Sequence, residues 1–444
     1  MIERMFELSK HRTTILREVL AGVTTFLTMS YILVVQPSVL STTFTGEPTG
    51  LEAGAVLLAT CLASAFATAL MGCYAKLPIA LAPGMGQNFF FVGVMMAFAG
   101  QESPAASALA VVLVAGLIFL ALTWAGVRQV VLDVMSPSMR TAIAVGIGLF
   151  IAFIGLKNGG IVGDAPSLVA LNGKQLFSFD SLVFWTGLLV TLVLSMLRIP
   201  GSILVGIASA TAVAIFLGKV VLRSVFGLPE IEQSAILRFD FAQTFSAMGL
   251  SFVAVFVFMD IFDTTGTLIA VTKQAGLTQE NDEVPNMRQA MFADSLGTIF
   301  GACLGTSTVT SYIESAAGVE QGGRTGLTAV VVAVLFLVAI ALSPLIIAVG
   351  GYAPVTAPAL VVVGAMMFRG VAGIDWSDET ESIPAFLVII GIPLFFSIAD
   401  GIALGLIVWP LLKIASGRAV EVSWKAYVLA ILLVAYFLFI RVNV

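Results

Sequence analysis

The length of its uncharged apolar runs restricts this chain more than any other feature. Residues 187–197, 330–342 and 426–440 contain no charged side chain. Over all 444 residues, 59% are hydrophobic, 11% are charged and the mean hydropathy is +1.07. A soluble domain carries roughly a quarter charged residues. Inside a bilayer the backbone must satisfy its own hydrogen bonds, so helices and closed barrels are the only spanning structures. A barrel needs alternating strands of about ten residues, and these runs are longer and continuous. The chain is therefore read as an all-α polytopic membrane protein, with the lipid bilayer as its solvent.

Apolar segments fall near 18–40, 53–73, 77–97, 107–125, 139–157, 180–197, 201–221, 245–272, 289–305, 308–319, 326–349, 356–369, 382–398, 400–415 and 424–442. With the N-terminus inside and crossings alternating, 15 of the 21 Lys and Arg lie inside, Arg12, Lys76, Arg128, Arg140 and Lys273 among them. Lys157 and Arg441 belong to the six outside. That bias predicts a cytoplasmic N-terminus in the cell (inner or plasma) membrane. Residues 1–17 form a charged tail without the short apolar core of a cleavable signal. The last segment reads as a fifteenth crossing, or else 382–415 is one long bent element.

The net charge of −5 comes with no basic stripe, so no nucleic-acid partner is expected. Cys61, Cys73 and Cys303 fall in or beside apolar segments and read as buried free thiols. The single histidine, His11, sits in the tail, which leaves no histidine for a proton relay.

Two segments cannot be ordinary spanning helices. Segment 77–97 contains Ala82-Pro-Gly-Met-Gly86, a run that breaks a helix. Segment 308–319 is too short to cross about 30 Å. Broken backbone at membrane depth survives only where it lines a cavity or is covered by protein. A shift of 233 residues lays Ser64, Thr68 and Gly72 over Gly297, Gly301 and Gly305, and 82–86 over 315–319. Seven segments separate the copies, so the second is inverted. This is the pattern of secondary transporters, whose site lies at the two broken helices.

Acids mark the same regions. Asp260 and Asp263 share one helix face and lead into Thr264, Thr265, Gly266 and Thr267. Glu314 lies about fifty residues on, in Gly305-Thr-Ser-Thr-Val-Thr-Ser-Tyr-Ile-Glu-Ser-Ala-Ala-Gly318. A carboxylate at this depth is costly unless it faces a cavity, a partner or a proton. Asp263, Glu314 and Asp260 are the candidates for proton coupling; the alternative is packing acids satisfied by nearby hydroxyls. Asp294 reads as an acid near a helix start, where the dipole favours it, and Asp400 as a solvated loop residue. Gln87 and Asn88 offer amide donors and acceptors, either to a ligand edge or to backbone freed by the break. Phe89, with Phe90 and Phe91, stacks on a flat ligand or packs in the core. Ser30 follows Thr24, Thr25 and Thr28 on the first span, and such hydroxyls also bond back to their own helix. Thr264 and Ser315 adjoin the acids. Gly322-Gly-Arg-Thr-Gly326 reads as a turn and gate-side anchor.

The runs Thr25-Phe-Leu-Thr-Met-Ser-Tyr-Ile-Leu-Val-Val-Gln-Pro37, Ala82-Pro-Gly-Met-Gly-Gln-Asn88, Phe262-Asp-Thr-Thr-Gly-Thr267 and Glu314-Ser-Ala-Ala-Gly318 with Gly323-Arg-Thr-Gly326 resemble the AzgA-type purine permeases of the second nucleobase:cation symporter family. The resemblance spans nearly the whole chain. It implies a uracil-permease-like fold of about 14 spans, as two inverted repeats of 7, with short extended segments in spans 3 and 10. It implies a core domain over 18–125 and 245–349, a gate domain over 139–225 and 356–415, and a surplus hydrophobic segment at 424–442. It implies proton-coupled uptake of adenine, guanine or hypoxanthine, and oligomerisation as a homodimer through the gate. The family's acids of spans 8 and 10 fall on Asp263 and Glu314, and its span-3 asparagine on Asn88. No cofactor or metal is implied beyond a co-transported proton. This chain departs from the family at Gln87, where Leu is more usual, and at Gln36-Pro37, where Asn-Pro is.

Two other classes stand beside this one. An anion transporter on the same fold would want a cation facing the broken helices, and spans 3, 8 and 10 carry no Lys or Arg at mid-depth. An intramembrane aspartyl enzyme would want acids facing each other from different elements, which Asp260 and Asp263 do not.

Overall fold

A computed structural model describes residues 2–44, 46–125, 135–165, 168–232, 234–278 and 284–439. Arg128, Arg441 and the end of the segment 424–442 lie outside the described residues. The described elements, in order, are α1 (Ile2–Phe6), α2 (Ile15–Met29), α3 (Tyr31–Leu40), α4 (Ala53–Leu70), β1 (Leu81–Pro83), α5 (Met85–Ala97), α6 (Pro104–Ala125), α7 (Pro137–Asn158), β2 (Val162–Ala165), β3 (Leu168–Leu171), α8 (Phe179–Met196) and α9 (Ser202–Phe216). They continue with α10 (Ala247–Gln274), α11 (Met287–Leu304), β4 (Val309–Ser311), α12 (Ser315–Glu320), α13 (Gly326–Ala339), α14 (Ser343–Gly350), α15 (Ala353–Phe368), α16 (Glu379–Phe395), α17 (Ile398–Ala415) and α18 (Trp424–Phe439). Among the described residues, eight helical stretches are long and apolar enough to cross a bilayer, and α5, α9 and α13 are shorter apolar helices. Serine caps start several of them. Ser136, Ser178 and Ser246 each accept from a backbone N–H three residues on, which satisfies one orphan donor at a helix start.

The helices associate in two groups. In one, α13 packs on α2 and α4, and α11 on α4 and α6, with α10 against α6. In the other, α7 packs on α15 and α16, α15 on α8, and α8 on α9. The stretch 382–415 is not one bent element. It is the tightly packed pair α16 and α17, joined by a turn at Phe396 whose φ is 51°. Helix α18 packs on α17.

The two broken segments meet. Strands β1 and β4 pair antiparallel, with Leu81 opposite Ser311, Ala82 opposite Thr310 and Pro83 opposite Val309. Bonds from Tyr312 N to Ala80 O (2.9 Å) and from Gly84 N to Thr308 O (3.1 Å) extend the ribbon. Its outer edges face helices rather than water. The Thr68 hydroxyl bonds both N and O of Leu81 at 2.9 Å, and the Thr298 hydroxyl bonds N (3.1 Å) and O (3.0 Å) of Val309. Each orphaned group would otherwise cost about 1–3 kcal/mol.

The second break begins earlier than the 233-residue register predicts. Gly305 ends α11 at φ 100°, a conformation open to glycine, and the chain is extended at Val309–Ser311. Residues 315–319, which the register lays over the first break, are helical in α12. The hydroxyl-rich run before Glu314, not the small residues after it, supplies the break.

The loop before α13 is anchored by Glu18. This fully buried carboxylate accepts from Arg324 N (3.0 Å), Thr325 N (3.2 Å) and Thr328 Oγ1 (2.6 Å). The Arg324 guanidinium turns back to the carbonyls of Val319 (2.5 Å) and Gly323 (2.7 Å). The motif is thus an anchor, and it holds the start of α13 against α2 and α4. Cys61 is buried as expected; Cys73 is exposed and Cys303 half-buried, because the π-helical turn at Met71–Ala75 carries Cys73 outward.

Candidate functional site

Asp263 lies on α10 opposite the β1–β4 ribbon. The Gln87 amide donates to its Oδ2 at 3.2 Å, and the Thr310 hydroxyl approaches the same atom at 3.4 Å. Asp263 is surrounded by the bundle, yet its side chain is exposed rather than covered by protein. The open face of α10 continues through Gly266, Ala270 and Lys273, about one turn apart. A methyl on Gly266 would touch nothing within 4 Å. We read this exposed face as one wall of a cleft that runs from Asp263 toward Gln274, whose amide donates to Glu320 (2.8 Å) at the end of α12. The N-terminal tail packs at this end of the bundle, with Glu7 paired to Lys76 (3.3 Å). The Arg140 guanidinium lies over the ring of Phe262 on α10, at 5.4 Å.

Glu314 occupies the position just before α12, its side chain making no capping bond, partly open and within electrostatic reach of Asp263. The Tyr31 hydroxyl donates to its Oε1 at 2.7 Å, and the Thr28 hydroxyl approaches its carbonyl at 3.4 Å. The Tyr312 hydroxyl donates to Pro83 O (2.5 Å) and ties the two breaks together.

Behind the ribbon lies a third acid. Asp294 is fully buried near the middle of α11, not at its start. It accepts from Thr264 Oγ1 (2.5 Å) and Ser311 Oγ (3.3 Å). Thr264 Oγ1 is also 3.0 Å from Thr310 Oγ1, which in turn faces Asp263. Two hydroxyls thus connect Asp263 to Asp294. Each hydroxyl has one proton to donate and lone pairs to accept another, so with Thr310 turned to donate to Thr264 the chain has the connectivity a proton relay between the acids requires.

The structure gathers some expected residues and separates others. Asp263, Glu314 and Gln87 come together. Thr264 is fully buried, in the hydroxyl chain rather than on the cleft. Asp260 is fully buried and its oxygens make no hydrogen bond among the described residues; Thr308 and Gln87 are near but not in bonding geometry. Asn88 is fully buried, turned from the cleft into a network in which it donates to Gln36 and accepts from Ser307. Gln36 also donates to Thr306 at 2.9 Å. Ser315 accepts from Ala80 N (3.0 Å) and braces the first break. Ser30 spends its hydroxyl on Leu27 O (3.2 Å), where α2 meets α3. Phe89 lines a separate cavity with Phe44 and Phe150. Asp400 is not solvated: it is 4% exposed, in the first turn of α17. Sequence reasoning missed Tyr31, Glu18 and the network roles of Thr310 and Asp294. A carboxylate at the very start of the first apolar segment, 18–40, was the available signal for Glu18.

The profile of the xanthine/uracil permease group, described as a permease family, matches residues 16–435. The chain belongs to this family of nucleobase:cation symporters. It is 40% identical over 440 residues to the adenine permease AdeP of Escherichia coli (strain K12), covering 99% of this chain and 96% of that one. It is 40% identical over 433 residues to the guanine/hypoxanthine permease PbuO of Bacillus subtilis (strain 168), covering 96% and 98%. The fold resembles the transmembrane domain of the cyanobacterial bicarbonate transporter BicA, with TM-score 0.66 at 16% identity over 88% of this chain and 97% of that one. At that identity the likeness is one of fold alone. Membership of the permease family makes the chain a multi-pass membrane transporter, not an enzyme.

One prediction tests the cleft directly. Gly266→Leu places a side chain in open space and removes a helix-weakening glycine, which alone favours the helix by up to about 1 kcal/mol. The variant is expected to stay folded and lose transport by about tenfold or more, the equivalent of 1.4 kcal/mol. Uptake in vesicles, paired with size-exclusion profiles, checks both. Full uptake would show that the cleft is not the route.

Proposed function

We propose that this chain is a secondary active transporter that couples protons to uptake of a purine nucleobase: adenine, guanine or hypoxanthine. The observation that carries the reading is a pair of carboxylates, Asp263 and Glu314, at the paired breaks, neither of them fully covered by protein. A purine is flat and rimmed by N–H donors and lone pairs. A carboxylate accepts from a ring N–H or an exocyclic amine, and the Gln87 amide completes the edge. A site built on such pairs strongly rejects analogues that lack them. In this reading Glu314 holds the base, Asp263 engages both base and proton, and Thr310 and Thr264 pass the proton to Asp294. Full-length identity to an adenine permease and to a guanine/hypoxanthine permease supports the substrate class. The anion alternative is not favoured, since the groups aimed at the site are acids.

We read the architecture behind this as 14 crossings in two inverted sevens, with the core over 18–125 and 245–349 and the gate over 139–225 and 356–415. The antiparallel β1–β4 pairing and the matching edge threonines, Thr68 and Thr298, support it. Movement of core against gate would turn the site from one face to the other. A cytoplasmic N-terminus and a homodimer built through the gate belong to the same proposal; cysteine accessibility from each side and cross-linking test them.

Competition experiments decide the substrate. Hypoxanthine uptake is expected to be inhibited by adenine or guanine, more weakly by uracil, and to rise as the outside pH falls, because the proton is a co-substrate. No purine uptake, or chloride or sulfate flux without a purine response, would overturn the reading.

A further inference from the structure

At the opposite end of the bundle from the N-terminal tail lies a cavity of about 290 Å³. It sits between the two helical groups: α5 and α10 form one wall, α7 and the α16–α17 turn the other. Binding sites for organic ligands usually measure about 300–1,000 Å³, so this one suits a single small heterocycle. Its lining is aromatic. Phe44 and Phe89 lie nearly parallel, 6.3 Å apart at 23°. Phe150 meets Phe44 edge-on at 5.7 Å, and Phe396 meets Phe150 edge-on at 5.5 Å. Phe396 holds its place with a φ of 51°, which is uncommon for a bulky residue. Asp400 and Ser397 supply the polar lining.

The hollow is not simply poor packing between large rings. Gly93 lines it, and a methyl there would touch nothing within 4 Å. An empty apolar space forfeits dispersion contacts on every wall. Flat aromatic faces with one carboxylate and one hydroxyl match a planar, neutral base with N–H groups. Helix α5 joins this cavity to the acid site, since Gln87 reaches Asp263 while Phe89 and Gly93 face the hollow.

We propose that this cavity is a second purine-binding subsite, occupied before or after the base reaches Asp263 and Glu314. The proposal rests on the purine reading. The Asp400 carboxylate and Ser397 hydroxyl orient the base, and Phe44, Phe89, Phe150 and Phe396 enclose it. It is distinct from the acid site and loads independently of it.

The test uses Gly93→Cys in purified full-length protein in nanodiscs, with Cys73→Ser and Cys303→Ser removing the two accessible native thiols. A small methanethiosulfonate reagent is expected to modify the introduced thiol. Hypoxanthine at about ten times its Kd should slow the reaction about tenfold, as occupancy requires. The slowing should persist when Glu314→Gln disables the acid site. Gly93→Leu, whose Cβ enters open space and whose branch fills part of the hollow, should raise KM for hypoxanthine while the protein stays folded. The proposal is overturned if the introduced thiol does not react, if hypoxanthine gives no protection, or if protection vanishes with Glu314→Gln. Wild-type purine uptake with no protection sinks the subsite alone, whereas absence of both sinks the transport reading.

Discussion

Asp263→Asn is expected to abolish acid-stimulated purine accumulation while the protein still folds and reaches the membrane. Asn keeps the size of the side chain and an acceptor for the Gln87 amide, which lies 3.2 Å from Asp263 Oδ2. It removes the group that takes a proton. Losing a charge-assisted hydrogen bond to the base costs about 1.5–3 kcal/mol, a roughly 10- to 150-fold loss of transport. Coupling should fail more completely. Uptake in the wild type rises as outside pH falls; in the variant that slope should be flat. Base-for-base exchange across vesicles of equal pH needs no net proton movement, so it should outlast accumulation. Thr310→Val, which cuts the hydroxyl chain to Asp294, should weaken pH dependence without removing base binding. Accumulation with a normal pH slope in Asp263→Asn would exclude Asp263 as the coupling site.

The second large effect is structural. Gly326→Ala drives a methyl into the Gly72 carbonyl oxygen, and to 2.6 Å and 2.9 Å from that residue's C and Cα. All three are backbone atoms, so no side chain can yield. Small residues at such a crossing let two membrane helices approach closely. Here the close approach joins the end of the α4 stretch to the start of α13, directly after the loop that Glu18 holds. Over-packing a core usually costs about 1–3 kcal/mol, and separating two helices should exceed that. Folded protein recovered from membranes is expected to fall sharply, with a lowered unfolding temperature in what remains. Gly93→Ala enters open space and serves as the control. Equal recovery of the two variants would mean that the crossing is looser than described.

The linear chain determined the membrane environment, the approximate limits of many of the apolar helices, the two breaks and the acids that accompany them, though 326–349 divides into α13 and α14. Those properties are local. An uncharged run must become a helix in lipid, Pro-Gly must interrupt one, and a carboxylate at depth must find a partner. Tertiary structure alone decided which polar groups face water and which serve the protein itself. Asp263 and Asp260 are three residues apart, yet only Asp263 opens on the cleft; Gln87 reaches it while Asn88, the next residue, turns into the core. A helix rotates about 100° per residue, so neighbours diverge, and the surrounding elements assign each side chain its environment. Partners hundreds of residues away made the remaining choices: Tyr31 for Glu314, Arg324 and Thr325 for Glu18, and one strand for the other at the centre of the bundle. Long-range hydrogen bonding leaves no periodic trace in sequence, which is why the register of the second break emerged only from the fold.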